Sequence, residues 1–207
     1  MKKIFLLLMM ILMVSGCGGS EEKSSAEPVK AQVTDKKILV VYFSRTGEEY
    51  NVGRITKGNT AIVAEYIAQK TGADIFEIKP ATPYPDEYEA CTELAKQELE
   101  SNARPALAKN IDNLAQYDTI FVGYPIWWGA LPRVVMTFLE SNDFSGKKII
   151  PFCTHGGSGL AGTEREIANA CQNAKILSGL AISGRIAQND SATVQKEVDT
   201  WLKELGY

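Results

Sequence analysis

Three stretches of this chain carry residue types suited to binding chemistry, and each follows an apolar run. The first runs from Ser44-Arg45-Thr46-Gly47 to Gly58-Asn59-Thr60. Ser44, Thr46 and Thr60 offer hydroxyls, and Gly47 and Gly58 let backbone amides turn inward. Asn59-Thr60 opens a helical pattern, and the free amides of a helix N-terminus suit a dianionic phosphate. Gly53 to Thr60 comes within one residue of the triphosphate loop G-x-x-x-x-G-K-S/T, but Asn59 stands where the lysine must be. G-x-G-x-x-G is absent as well, which leaves a dinucleotide fingerprint without support. A cradle of hydroxyls and amides, with Arg45 or Arg54 as added cations, fits a single terminal phosphate. Taken alone, the loop reads equally well as a plain turn.

The second stretch, Pro125-Ile126-Trp127-Trp128-Gly129-Ala130-Leu131-Pro132, sets two indoles side by side between proline and glycine. Such rings offer large stacking area where a ligand arrives. The third, Thr154-His155-Gly156-Gly157-Ser158-Gly159, has three glycines and two hydroxyls, so its main-chain N–H groups can approach a planar acceptor edge closely. Ser158 and His155 lie three residues apart on one tight loop and G-x-S-x-G is not matched, which argues against a nucleophilic triad.

The elements that must hold these loops alternate in period. Lys37–Ser44, Asp118–Tyr124 and Lys148–Cys153 are continuous apolar runs, as expected of strands buried on both faces. Ala73–Lys79 reads as an edge strand, and a fifth strand falls within Ile176–Ile186. Helical spacing marks Asn59–Gly72, Asp86–Ala103, the segment after Leu131-Pro132, Gly159–Cys171 and Val194–Leu205. Five strands each followed by a helix predict a three-layer, doubly wound parallel α/β sheet. In such a sheet the ligand sits beyond the carboxyl ends of the strands, where strand order reverses, and the three loops belong there.

The chain is long enough for one ordinary domain, which we bound at 37–207. A net charge of −3 supplies no basic excess for nucleic acid. Met1-Lys2-Lys3 and the apolar run Ile4–Val14 have the form of a signal segment, too short for a membrane span of about twenty residues. Val14-Ser15-Gly16-Cys17 resembles the bacterial lipoprotein signal, with residues 1–16 removed and Cys17 lipidated; the alternative is an ordinary secretory signal. Residues 17–36 then form a flexible Gly, Ser, Glu and Lys-rich tether. Loss of Lys2 and Lys3 takes the charge from −3 to −5, so membrane attachment would rest on lipid alone, at the extracytoplasmic face. Cys91, Cys153 and Cys171 have no C-x-x-C spacing and, with one histidine, make a poor metal set; we expect three buried, inert thiols.

Together, VVYFSRTG…GNT, GYPIWWGALP and PFCTHGGSG resemble the flavodoxin family over residues 37–207, and more narrowly flavodoxin-like proteins with an insertion in the first loop, here Glu48–Gly58. The resemblance implies strand order 2-1-3-4-5, non-covalent FMN, and one- or two-electron carriage to a redox protein or small-molecule donor or acceptor. It implies that Ser44, Arg45, Thr46, Gly47, Asn59 and Thr60 surround the phosphate. Pro125, Ile126, Trp127, Trp128 and Gly129 would meet the ring, with Trp127 or Trp128 stacking on it and a peptide near Gly129 free to flip. Thr154, His155, Gly156, Gly157, Ser158 and Gly159 would face its polar edge. The insert is an excursion beside the site. An electron carrier is the favoured reading. The rivals are an FMN-dependent NAD(P)H:quinone or azo reductase and a binding protein for another phosphorylated ligand.

Overall fold

The computed structural model describes residues 37–207; the signal segment, Cys17 and the tether lie outside the described residues. Strand β1 (Ile38–Tyr42) explains why its apolar run is continuous. Leu39 and Val41 enter the core on one face of the sheet, Val40 and Tyr42 the core on the other. β4 (Asp74–Glu77) and β5 (Thr119–Pro125) flank it in parallel, with Val40 opposite both Ile75 and Phe121. β6 (Lys148–His155) pairs with the far side of β5. Helices α2 (Tyr88–Glu100), α3 (Arg133–Glu140) and α4 (Thr163–Ala170) cover one face through Cys91, Phe138, Leu139 and Ile167. Helices α1 (Asn59–Thr71), α5 (Gly184–Asn189) and α6 (Ser191–Leu205) cover the other through Val63, Ile67, Ala187, Val198 and Trp201. Truncating a fully buried aromatic such as Phe121 or Phe138 to alanine would cost about 3–5 kcal/mol.

The order of the sheet, counting strand positions, is 2-1-3-4-5 as expected, but the fifth position is shared. β7 (Lys175–Ile176) pairs with the start of β6, and β8 (Leu180–Ser183) with its end. The break falls opposite Pro151, which has no N–H to give a neighbour, and Gly179 packs against the Pro151 carbonyl there. β8 lies within Ile176–Ile186, as expected, and after Ser183 the chain turns into α5. β4 is an edge, as its less regular pattern suggested.

The insert is ordered. β2 (Gly47–Glu49) and β3 (Gly53–Ile55) form an antiparallel hairpin in which Glu48 lies opposite Arg54, their charged groups 3.6 Å apart. The Glu48 amide donates to the Asp86 carbonyl at 2.8 Å, joining the hairpin to the loop before α2.

Candidate functional site

A cavity of about 390 Å³ opens beyond the carboxyl ends of β1, β5 and β6, within the range of small-molecule sites. Its polar end begins at α1. The cap residue Gly58 brings no side chain, and the first-turn amides divide. Ala61 N–H donates to Ser44 Oγ at 3.1 Å and Ile62 N–H to the Gly58 carbonyl at 3.3 Å, which leaves those of Asn59 and Thr60 for an outside acceptor. Thr60 and Thr154 share a buried hydroxyl–hydroxyl bond of 2.8 Å. Asn59 Oδ1, in the cavity wall, is buried without a donor, while its Nδ2 lies against Gly184.

Arg45 is engaged elsewhere. Its Nη1 donates to the carbonyls of Pro85 (2.8 Å) and Asp86 (3.1 Å), and its Nη2 to that of Glu48. Its Nε lies 3.1 Å from Glu49 Oε1, an ion contact without hydrogen-bond alignment. Burial raises the Glu49 carboxyl above its ordinary range, and Arg45 opposes that shift.

At the aromatic end, Trp127 and Ala130 exchange backbone N–H···O bonds of 3.1 and 3.0 Å around Trp128 and Gly129. Both central residues have positive φ, 53° and 73°, which makes this a type I′ turn. Gly129 adopts that geometry freely, whereas for Trp128 it costs about 1 kcal/mol. Trp128 is held there by its Nε1–H, which donates to the Thr92 carbonyl at 2.9 Å, and by Lys96 Nζ, 5.8 Å from its ring centre. Trp127 is half-buried and packs edge-on against Tyr84 and Phe43, at 4.9 and 5.3 Å between centroids. Tyr84 in turn donates its hydroxyl to Glu98 at 2.7 Å.

In the third loop the Gly157 N–H donates to His155 Nδ1 at 2.9 Å, which assigns that nitrogen as unprotonated. Burial lowers the His155 pKa, with Glu197 opposing, so the ring is neutral at physiological pH. Tyr50 lies across this loop: a β-carbon at Gly156 would fall 2.8 Å from its ring.

Of the expected residues, Arg45, Asn59, Pro125, Ile126, Trp127, Trp128, Thr154, His155 and Gly156 stand in the cavity wall. Ser44 and Thr60 sit behind it, occupied with α1 and Thr154. Thr46 is exposed, Gly47 is buried under Asp86, and Gly129, Gly157, Ser158 and Gly159 lie outside the wall. The wall also takes Glu49 and Tyr50 from the hairpin, Gly184 from α5, and Tyr88, Cys91, Thr92 and Ala95 from α2. The last four fall at i, i+3, i+4 and i+7, one helical face, so periodicity could have flagged them as a stripe. Burial lifts the Tyr88 hydroxyl above its ordinary range and pushes the Cys91 thiol up to about 11. Cys91, Cys153 and Cys171 are all free and buried.

The chain matches the family model described as Flavodoxin over residues 37–203. Among solved structures, it is 33% identical to a candidate flavoprotein from Bacteroides uniformis ATCC 8492, covering 81% of this chain and 98% of that one, with a TM-score of 0.63. A candidate flavoprotein from Bacteroides eggerthii DSM 20697 is 29% identical, with coverage of 84% and 99% and a TM-score of 0.66. A flavoprotein from Lactobacillus acidophilus NCFM, solved in complex with FMN, shares the fold at 20% identity, with coverage of 78% and 98% and a TM-score of 0.55. No curated protein matches the chain. With the family model spanning nearly all of the described domain, and the three loops gathered at one sheet edge, this chain belongs to the flavodoxin family.

Proposed function

We propose that this chain is an FMN-binding electron carrier held at the outer face of a bacterial membrane by a lipid on Cys17. The observation that carries the FMN reading is the joining, in one cavity, of a hydrogen-bonding end and an aromatic end. At the first, the free Asn59 and Thr60 amides at the start of α1 suit a monoester phosphate. The donorless Asn59 Oδ1 suits a sugar-alcohol hydroxyl. At the second, Trp127 and Trp128 offer ring surface, and the loop from Thr154 to Gly156 forms the adjoining wall. Bound flavin supplies the one- and two-electron redox chemistry.

This chain's residues then fix the cofactor's surroundings. The neutral His155, with Gly157 on its Nδ1, adds no positive charge beside the third loop. The type I′ turn constrains the Trp128–Gly129 peptide. Rotating that peptide would carry Trp128 to a backbone region open essentially to glycine alone. A free flip near Gly129, which the family resemblance suggested, is therefore opposed by the Trp128 side chain. No helix among the described residues is long and apolar enough to cross a membrane, and the anchoring proposal rests on the N-terminal sequence alone.

The test is the visible spectrum of the purified full-length chain with and without added FMN. A yellow protein whose flavin band weakens in Trp127→Ala and Asn59→Ala supports the reading. A colourless protein that takes up no FMN at micromolar concentration overturns it. For the anchor, the wild type expressed in bacteria should partition into a detergent phase and Cys17→Ser into the aqueous phase.

A further inference from the structure

The insert in the first loop brings a carboxyl to the cavity. Successive side chains of β2 point to opposite sides of the hairpin. Glu48 turns outward, its side chain 43% exposed, where it accepts from the Tyr88 N–H at 3.3 Å and meets Arg54 at 3.6 Å. Glu49 turns inward, its side chain 18% exposed, and is the one carboxyl among the described residues lining the cavity. Its counter-charge is incomplete. Arg45 directs both Nη atoms to the carbonyls of Glu48, Pro85 and Asp86, and its Nε, 3.1 Å from Glu49 Oε1, is buried with no aligned acceptor.

The other groups around Glu49 add no charge to balance it. On α2, burial holds the Tyr88 hydroxyl and the Cys91 thiol above their ordinary values, and both stay neutral. In the third loop His155 is neutral, with the Gly157 N–H on its Nδ1. Arg54 belongs to a separate cluster with Glu48, Asp86 and Glu87. A buried carboxyl so weakly compensated responds to any charge that enters the cavity beside it. We propose that Glu49 takes up a proton from solvent when the carrier is reduced, so that the insert links electron transfer to proton uptake. The electron comes from a one-electron donor and stays on the bound flavin. The proton forms an O–H bond on the Glu49 carboxylate, and reoxidation releases both. The inference rests on FMN occupying the cavity. Like charges about 10 Å apart, at an effective dielectric constant of about 20, raise a carboxyl by about one pH unit.

The full-length chain in detergent is first loaded with FMN, and its spectrum recorded. A protein that takes up no flavin overturns the cofactor reading, and this inference with it. The midpoint potentials of the yellow protein and of Glu49→Gln are then followed from roughly pH 4 to pH 8 by electrode titration. At the acid end both side chains are neutral. As pH rises the wild type should fall below Glu49→Gln. Summed over the two electrons a flavin accepts, the separation should widen by about 59 mV, the equivalent of a tenfold change in proton affinity. Redox-difference infrared spectra give a second readout, which in the wild type needs no variant to fold. Reduction should add a protonated-carboxyl band that shifts when glutamate is labelled with carbon-13, and Glu49→Gln should lack it. Potentials that run parallel across the pH range overturn the proposal, as does reduction that adds no glutamate carboxyl band. So does a pH dependence kept by Glu49→Gln and removed by His155→Asn, which would place the proton on the imidazole.

Discussion

Gly58 is the point at which the anion end can be broken with least disturbance elsewhere. Its φ of −67° is open to any residue, so Gly58→Ala acts by volume alone. A β-carbon there would lie 2.1 Å from Ser44 Oγ and 2.5 Å from the Arg45 carbonyl, where ordinary contact begins at 3.4 Å. Either the start of α1 or the Ser44–Arg45 segment must retreat by about 1 Å, and Ser44 then loses the Ala61 N–H. Overpacking costs about 1–3 kcal/mol and the lost hydrogen bond about 1 kcal/mol, so unfolding free energy should drop by about 2–4 kcal/mol. Gly72→Ala, at the other end of the same helix, is the control. Its φ is +66° with open space around it, and strain alone should cost about 1 kcal/mol. The two variants diverge further in FMN titration. A hydrogen bond to a charged acceptor contributes about 1.5–3 kcal/mol, so displacing the Asn59 and Thr60 amides should weaken FMN about a hundredfold or more. Gly72→Ala should leave affinity unchanged. Urea unfolding and flavin titration of both proteins decide the matter: a folded Gly58→Ala that binds FMN within twofold of wild type refutes the assignment of the cradle to the start of α1.

Trp128→Gly should exceed Trp128→Ala in unfolding free energy by about 1 kcal/mol, because only glycine relieves the positive φ while both lose the Thr92 bond; equal stabilities by urea unfolding would mean that the type I′ turn does not persist in solution. His155 has a folded pKa below its ordinary value, so its contribution to stability is present above the ordinary histidine range and is lost as pH falls towards the lowered value. The thermal midpoint of wild type relative to His155→Asn should therefore be level above about pH 7 and decline as pH falls through the ordinary histidine range and below it. A difference that stays constant or grows on acidification would contradict a neutral, half-buried ring.

The layers were legible because burial on both faces leaves a plain signature, whereas the strand order came only with the family resemblance. Leu39 to Tyr42 alternate between two cores, and both cores demand apolar side chains. Pro125 and the Gly-rich turns marked the ends of those runs and so the sheet edge at which the cavity lies. The split of the fifth strand was not legible, since its cause sits on the neighbouring strand at Pro151, far away in sequence. The α2 wall was missed for a related reason: Cys91, Thr92 and Ala95 form a helical stripe, but periodicity gives the inward face and not whether that face meets packed core or empty volume. The insert offered a short strand pair without apolar alternation, and Tyr50 acquires its place only through Tyr88 and Gly156, outside the hairpin.

Arg45 illustrates how a residue can belong to a binding loop without addressing the ligand. In sequence it is a cation two residues after the first apolar run, and a phosphate is the obvious partner. In the fold its Nη atoms reach three carbonyls on two segments, Glu48 in the hairpin and Pro85 and Asp86 before α2, with Glu49 beside its Nε. A planar guanidinium can serve several fixed acceptors at once, which the point charge of a lysine on a flexible stem does poorly. The guanidinium therefore ties the insert to the loop before α2, and through that tie sets Glu49 and Tyr50 in the cavity wall. It also draws a cation away from the anion end, where amides and hydroxyls remain. Neutral donors at a helix start bind a dianion through the aligned peptide dipoles, with no counter-charge that must itself be desolvated when the site is empty. The extra residues of the first loop thus cost the cradle a positive charge and give the opposite end of the cavity an aromatic wall.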